Sequence, residues 1–361
     1  MKILVYGCGV IGSLLVHTLC RAGNEVTVVS KGKWGDVLRK NGLQIHHQLQ
    51  HTDTVDHPRV AGSLPEERFD IVFSVMQGCQ QETVLPELAR ADAPVVVLVG
   101  NNPQAAQMER TLQEMAGVPK TVLFGFQATA GVRDTGSVNC LHVGKGSMTV
   151  GGLHRECTQQ EKRLLLQAFQ GTGYKLTFED DMEGWLYCHA AFILPIVYIS
   201  YQCGCDLRRA DSRMIESLIN AAEEGYGLIA VSGRKIRPAG DAEYFQSRPK
   251  RAALRAVLYA MGKTKLGELA ATDHCRNAVT EMEWLDAAFE TLRRENPDHP
   301  MPEWNRLRRK MPAWEELHSI YDAAPKQRTE KPFGGKLLAG ILIAGAAAAV
   351  CYGICKGKDR S

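Results

Sequence analysis

Gly7, Gly9 and Gly12 stand in the run Gly7-Cys8-Gly9-Val10-Ile11-Gly12, directly after the apolar segment Lys2-Ile-Leu-Val-Tyr6. Glycines at this spacing let a chain turn sharply, bring bare backbone up to a pyrophosphate, and seat a helix close against a strand. The chemistry implied is dinucleotide binding: Gly7, Cys8, Gly9, Val10, Ile11 and Gly12 form the phosphate loop, and the amides that open the next helix face the phosphates. The second strand, Glu25-Val-Thr-Val-Val-Ser30, runs into Lys31-Gly32-Lys33, where a site for an unphosphorylated ribose usually carries a carboxylate. A cation there suits a 2′-phosphate. NADP(H) is therefore the expected cofactor, with Lys31 as its reader and Ser30 and Lys33 beside it.

These residues need a β-turn-α-β unit to hold them, and the sequence supplies one from its first residues: an apolar strand, a helix over Ser13 to Arg21 ending at Gly23, and the second strand. Strand patterns recur at Asp70 to Met76, Pro94 to Val99, Thr121 to Phe126 and Ser147 to Val150, with helical stretches at Gln80 to Ala89 and Gln104 to Met115. Strands alternating with helices imply a parallel, doubly wound sheet. After about residue 155 the helix period takes over, at Gln159 to Gln170, Met182 to Tyr201, Asp211 to Val231, Arg248 to Met261 and Ala278 to Arg294. The expected organisation is a dinucleotide-binding α/β domain over 1–155, an all-helical domain over 156–324 and a polar linker over 325–336. A last segment, 337–355, carries no charge and has the length of a transmembrane helix. Ala339, Gly340, Ala344 and Ala348 would give that helix a small-residue face for pairing, hence an expected homodimer.

Composition agrees with a folded enzyme body. Of the 361 residues, 45% are hydrophobic and 23% charged, which excludes disordered, collagen-like and coiled-coil classes. A net charge of +3 is too small an excess to imply nucleic-acid binding. The eleven cysteines are scattered and no signal-peptide pattern opens the chain, so the expectation is a cytoplasmic body with free thiols, tethered to a membrane by its tail. Neither Cys203/Cys205 nor Cys351/Cys355 has the partners of a tetrahedral zinc site, and no metal is expected. His46, His47 and His51 fall in the polar stretch Gln44 to Thr54, read as a solvated loop or edge strand.

Along nearly all of its globular length the chain resembles the ketopantoate reductase (2-dehydropantoate 2-reductase) family. The resemblance rests on the N-terminal fingerprint, the basic residue after the second strand, Asn41-Gly42-Leu43-Gln44-Ile45, Asp70 to Glu82, Leu98-Val-Gly-Asn101-Asn102 and Gly125 to Gly151. In the helical half it rests on Glu224 with Gly233, and on Thr280-Glu281-Met282-Glu283 followed by Met301-Pro302. It implies a Rossmann domain, a helical second domain, a substrate cleft between them, and reduction of a 2-keto acid by NADPH. It also implies that Asn101 contacts the nicotinamide side and Glu281 the substrate hydroxyl.

Several family positions are altered. Where the family has a helical Trp-x-Lys-x-x-x-Asn-x-x-x-Asn pattern, this chain has Trp185, Tyr187, Ala191 and Pro195, which share one helix face. Gln77 replaces a lysine at the end of the third main strand, and a serine-containing loop before Thr280 has no clear match in Lys263 to Asn277. The carbonyl still needs a proton donor, for which Tyr187 is the candidate; His189, two residues on, is read as packing. The expected reaction is reduction of a carbonyl less polar than ketopantoate, with Asn101, Tyr187 and Glu281 at the reacting centre. The alternative is a catalytically silent NADPH-binding sensor or scaffold at the membrane.

Overall fold

Four of the five residues in β1 (Lys2–Tyr6) are buried, which places this strand inside a sheet rather than at its edge. In this computed structural model, which describes residues 1–264 and 267–322, β1 is followed by α1 (Val10–Arg21), β2 (Glu25–Val29), α2 (Gly32–Asn41), β3 (Leu43–His47), β4 (Thr52–Asp56), β5 (Arg59–Ala61) and β6 (Ile71–Val75). Then come α3 (Gly78–Arg90), β7 (Val95–Val99), α4 (Ala105–Met115), β8 (Thr121–Gln127), β9 (Ala130–Arg133), β10 (Val138–Leu141), β11 (Ser147–Gly151), α5 (Gln159–Ala168) and β12 (Lys175–Glu179).

The main sheet has eight strands in the order β12-β11-β8-β7-β6-β1-β2-β5. From β1 the chain builds outward one way through β2 and β5, then returns to β6 on the other side. The strand order therefore reverses between β1 and β6, the switch point where doubly wound sheets bind their ligands. A second sheet, β4-β3-β10-β9, packs on the outer side of α1, so this helix lies between two sheets. Its apolar side chains Leu14, Leu15, Val16 and Leu19 are all buried.

The chain divides into two units at Glu183/Gly184, rather than at the expected residue 155. The cause is β12, which pairs in parallel with β11 from Ser147↔Lys175 to Gly151↔Glu179 and carries α5 with it into the first unit. Its sequence Lys-Leu-Thr-Phe-Glu lies at a sheet edge with Leu176 and Phe178 only half-buried, a signal too weak to stand out among helices. The histidine stretch meets the expected solvated loop and edge strand in part, with His51 exposed in a turn and β4 at a sheet edge, but His47 departs from it. The stretch forms the β3–β4 hairpin, with β3 paired on both sides, and period-2 alternation turns His47 inward with Leu43 and Ile45.

Among the described residues from Gly184 onward the unit is helical, as expected. α6 (Met182–Gln202), α7 (Ser212–Val231), α8 (Glu243–Gln246) and α9 (Arg248–Gly262) precede a π-helical turn at Glu268–Thr272 and helices at Asp273–Asn277, Val279–Glu295, Pro302–Lys310 and Trp314–Tyr321. By length and composition α6 could cross a membrane, but most of its apolar window is buried, which makes it the core helix of this unit. Gly225 lets α7 approach it: a Cβ there would lie 3.0 Å from that of Ala191 and 3.1 Å from the Trp304 ring. Glu224 accepts hydrogen bonds from the amides of Glu303 and Trp304 at 3.0 and 2.9 Å, capping the Pro302–Lys310 helix. The linker and the transmembrane segment expected at 325–336 and 337–355 lie outside the described residues.

Candidate active site

Three glycines shape the loop after β1, each for a different reason. Gly7 has φ +99°, and a Cβ on it would lie 2.5 Å from the Val75 carbonyl oxygen at the end of β6. A Cβ on Gly12 would lie 2.3 Å from the Gly7 carbonyl oxygen. Both are therefore packing glycines that draw the loop, α1 and β6 together. Gly9 differs: a Cβ there meets nothing within 4 Å, so its backbone faces open space. It also starts α1, which no side chain caps, leaving first-turn amides directed at that space. A pyrophosphate fits this cradle by charge and by its need for backbone donors.

The loop is braced from outside. The indole Nε1 of Trp34 donates to the Cys8 carbonyl at 2.7 Å, and Gln127 donates to the Ile11 carbonyl at 3.0 Å. The Cys8 side chain is buried, 3.4 Å from the Ser13 hydroxyl, and burial pushes its thiol up, so Cys8 serves the loop through its backbone. Val10 and Ile11 are half-buried in the first turn of α1. Ser30 is buried at the end of β2, where its amide bonds to the Ala61 carbonyl at 3.0 Å.

Lys31 follows with its side chain 62% exposed, and its ammonium lies 3.7 Å from the Glu87 carboxylate of α3, which Tyr6 holds with a 2.5 Å hydrogen bond. Glu87 was not anticipated at this edge. Neither was Arg133 of β9, whose guanidinium stacks 5.2 Å above the Trp34 ring and whose charge acts on Cys8. That is a second cation beside the phosphate loop. No motif marks it, because its strand arrives from the second sheet.

Gln77 and Asn101 occupy the ends of neighbouring strands. Gln77 precedes α3, and its carbonyl accepts the amides of Gln80 and Gln81, both at 2.9 Å. Gly100 turns the chain after β7 with φ +148°, a Cβ there being 2.7 Å from the Met76 carbonyl oxygen, and Asn101 follows it half-buried. Gly7 to Gly12, Gln77 and Asn101 thus stand at the carboxyl ends of β1, β6 and β7, while Ser30 and Lys31 stand at that of β2.

The helical unit carries the remaining candidates. Tyr187, Ala191 and Pro195 are all buried along α6, so the face expected to be apolar is so. The Tyr187 ring lies under the Arg234 guanidinium at 4.5 Å. His189 stacks on Trp185 with ring centroids 5.3 Å apart and lines a small cavity with Phe192, Tyr226 and Asp241. Burial lowers its pKa to about 4, helped by repulsion from His274, so it is neutral at physiological pH. In the same cavity burial lifts Asp241 to about 6, against a 3.1 Å hydrogen bond from Tyr226.

Glu281 is almost wholly buried near the start of the Val279–Glu295 helix, and one of its oxygens lies 3.1 Å from Nε2 of His274. The structure therefore joins Glu281 to a histidine from the unmatched Lys263 to Asn277 stretch. Among the described residues, no three His, Cys, Asp or Glu side chains converge as metal ligands.

Comparison with known proteins gives these features a context. Residues 3–155 match the family model described as ketopantoate reductase, PanE/ApbA. The 2-dehydropantoate 2-reductase of Archaeoglobus fulgidus is 25% identical over 244 residues, 66% of this chain and 78% of that protein. A PanE/ApbA family ketopantoate reductase from Ralstonia eutropha JMP134 shares the fold with a TM-score of 0.66 at 16% identity, over 89% of this chain and 99% of that one. D-mandelate dehydrogenase, solved with NADH and anilino(oxo)acetate, shares it with a TM-score of 0.66 at 14% identity, over 90% of this chain and 100% of that one.

Proposed function

Because the chain belongs, over residues 3–155, to the ketopantoate reductase PanE/ApbA family of nicotinamide-dependent oxidoreductases, we propose that it is an NADPH-dependent carbonyl reductase. It converts a 2-keto acid or related ketone, less polar than ketopantoate, into an alcohol. The observation that carries this reading is the open backbone of Gly9, framed by two glycines packed too tightly for any side chain. Lys31 and Arg133 supply cations around that cradle, Lys31 for the 2′-phosphate and Arg133 for the pyrophosphate. When bound, NADPH supplies the hydride that reduces the carbonyl carbon. Asn101 orients the nicotinamide side, and Glu281 with the groups around it and Tyr187 serves the substrate end. The loss of polar groups at Tyr187, Ala191 and Pro195 supports a less polar substrate, since these side chains cannot replace a lysine and two amides in binding a small carboxylate, and Ala191 is packed against Gly225 of α7 instead of open to a ligand.

The same loss supports a second reading, a silent NADPH-binding sensor or scaffold. In either case the uncharged 337–355 run would hold a cytoplasmic body at a membrane, and its small-residue face would pair two copies. Calorimetric titration of the full chain with NADPH and NADH, followed by NADPH oxidation with ketopantoate, phenylglyoxylate and larger aryl ketones, tests both readings. Binding with turnover of the aryl keto acid is expected. Binding without turnover of any carbonyl favours the sensor, and absence of binding removes both.

A further inference from the structure

We infer that His274, paired with Glu281, is the proton donor of this reductase and takes over the role left open by the missing lysine of α6. The inference rests on the reductase reading and names a residue that the sequence pattern does not mark. His274 sits on the short Asp273–Asn277 helix with its side chain 43% exposed, while its Nε2 is held 3.1 Å from the buried Glu281 carboxylate. With Nε2 turned to the Glu281 carboxylate as an ion pair, Nδ1 is the ring nitrogen left for a substrate.

The turn that carries it is fixed from several sides. The Tyr201 hydroxyl donates to the Cys275 carbonyl at 3.0 Å, Arg276 pairs with Asp273 at 2.9 Å, and Arg276 also donates to the Cys205 carbonyl. A donor must be held in place and yet be reachable, and His274 meets both conditions. Burial draws its pKa down, but the Glu281 charge and hydrogen bond outweigh this and hold it above the ordinary histidine value.

The charged and titratable groups around it are Glu281 on the Val279–Glu295 helix, neutral His189 on α6, Asp273 and Arg276 on its own helix, and Glu268, which lies 4.0 Å from Arg276 on the preceding turn. Only Glu281 touches the imidazole among the ion pairs of the described residues.

The step balances without a further reagent. As the carbonyl carbon gains a hydride from NADPH, the C=O π pair moves to oxygen and takes the Nδ1 proton of the His274 imidazolium. The ketone becomes an alcohol, NADPH becomes NADP⁺, and neutral His274 keeps its Nε2–H on Glu281 until solvent returns the proton.

The test uses the full chain with NADPH and phenylglyoxylate. With His274 as the acid, kcat/KM falls as pH rises through the histidine pKa. His274→Gln lowers kcat/KM by at least about 100-fold and abolishes that alkaline limb, while the NADPH dissociation constant stays within about 3-fold. Glu281→Gln shifts the limb to lower pH, and the His274 Cε1–H resonance, titrated by NMR without substrate or cofactor, moves with it. Turnover in the wild type with an unchanged profile in His274→Gln, or a histidine pKa at or below its ordinary value, overturns the assignment while leaving the reductase reading standing. Loss of the limb in Tyr187→Phe but not in His274→Gln overturns it in favour of the phenol. A wild type that binds NADPH and reduces no ketone removes the reductase reading, and this inference with it.

Discussion

Gly9 and Gly12 are the same residue three positions apart, yet a methyl group added to each meets opposite surroundings. At Gly12 it would strike the Gly7 carbonyl, so Gly12→Ala is expected to destabilise the protein by about 1–3 kcal/mol, as overpacking does. At Gly9 it enters open space, so Gly9→Ala should leave the denaturation midpoint unchanged while weakening NADPH by tenfold or more. Equal midpoints and unchanged NADPH affinity for Gly9→Ala would show that the cradle is not the cofactor site. Lys31 carries a second prediction. Its loss in Lys31→Ala removes a charge-assisted hydrogen bond to a 2′-phosphate, so NADPH should weaken more than NADH by about 1–3 kcal/mol. Equal losses would point to Glu87, 3.7 Å away, which can accept ribose hydroxyls and would mark a site for NADH. Lys31 is plain in the sequence because it follows β2 directly; Glu87 is not, because α3 brings it back to the same edge.

At the scale of elements, α1 is held between the two sheets by apolar packing, to which the second sheet adds a histidine cluster. His47 of β3 lies 2.8 Å from His142 and 2.9 Å from the Thr54 hydroxyl, and its ring is 5.0 Å from that of His17, which meets Asp56 at 2.7 Å. Burial, with repulsion from His17 and His142, lowers the His47 pKa to about 4. Between that value and the unfolded value of about 6.5 the unfolded chain binds the extra proton, so stability rises with pH across this window. It is fully present above about 6.5 and declines as pH falls toward about 4, by up to about 3 kcal/mol. Urea denaturation of the wild type and of His47→Gln between pH 7.5 and 4 checks the sign: the variant should lose less stability on acidification. A steeper acid loss in the variant would contradict the account.

For the molecule as a whole, the questions are how far the first unit extends and what the tail does. An eight-stranded sheet that recruits β12 makes Glu183, not residue 155, its last residue. A truncation at 155 would strip α5 and β12 from β11, exposing a buried edge and the core surface, Phe73 included, that Leu165 and Phe169 cover. The proposal for 337–355 predicts that the full chain sediments with membranes and resists extraction by high salt, whereas a chain lacking 323–361 is recovered in the soluble fraction. Equal partition of the two forms would remove the membrane anchor from the proposal.

The amino-acid sequence by itself determined what depends on neighbours in the chain: the β-turn-α-β unit, its glycine spacing, the cation after β2, the helical second half and the loss of polar residues along α6. Each is written in residues within a few turns of one another, where steric and periodic rules act directly. Only the tertiary structure decided that Gly9 is open while Gly12 is closed, that Arg133 and Glu87 reach the cofactor edge, that His47 is buried and that His274 meets Glu281. Those facts arise where strands and helices from distant stretches pack together. A side chain's reach, burial and charge partners are set by that packing and leave no local periodicity to read.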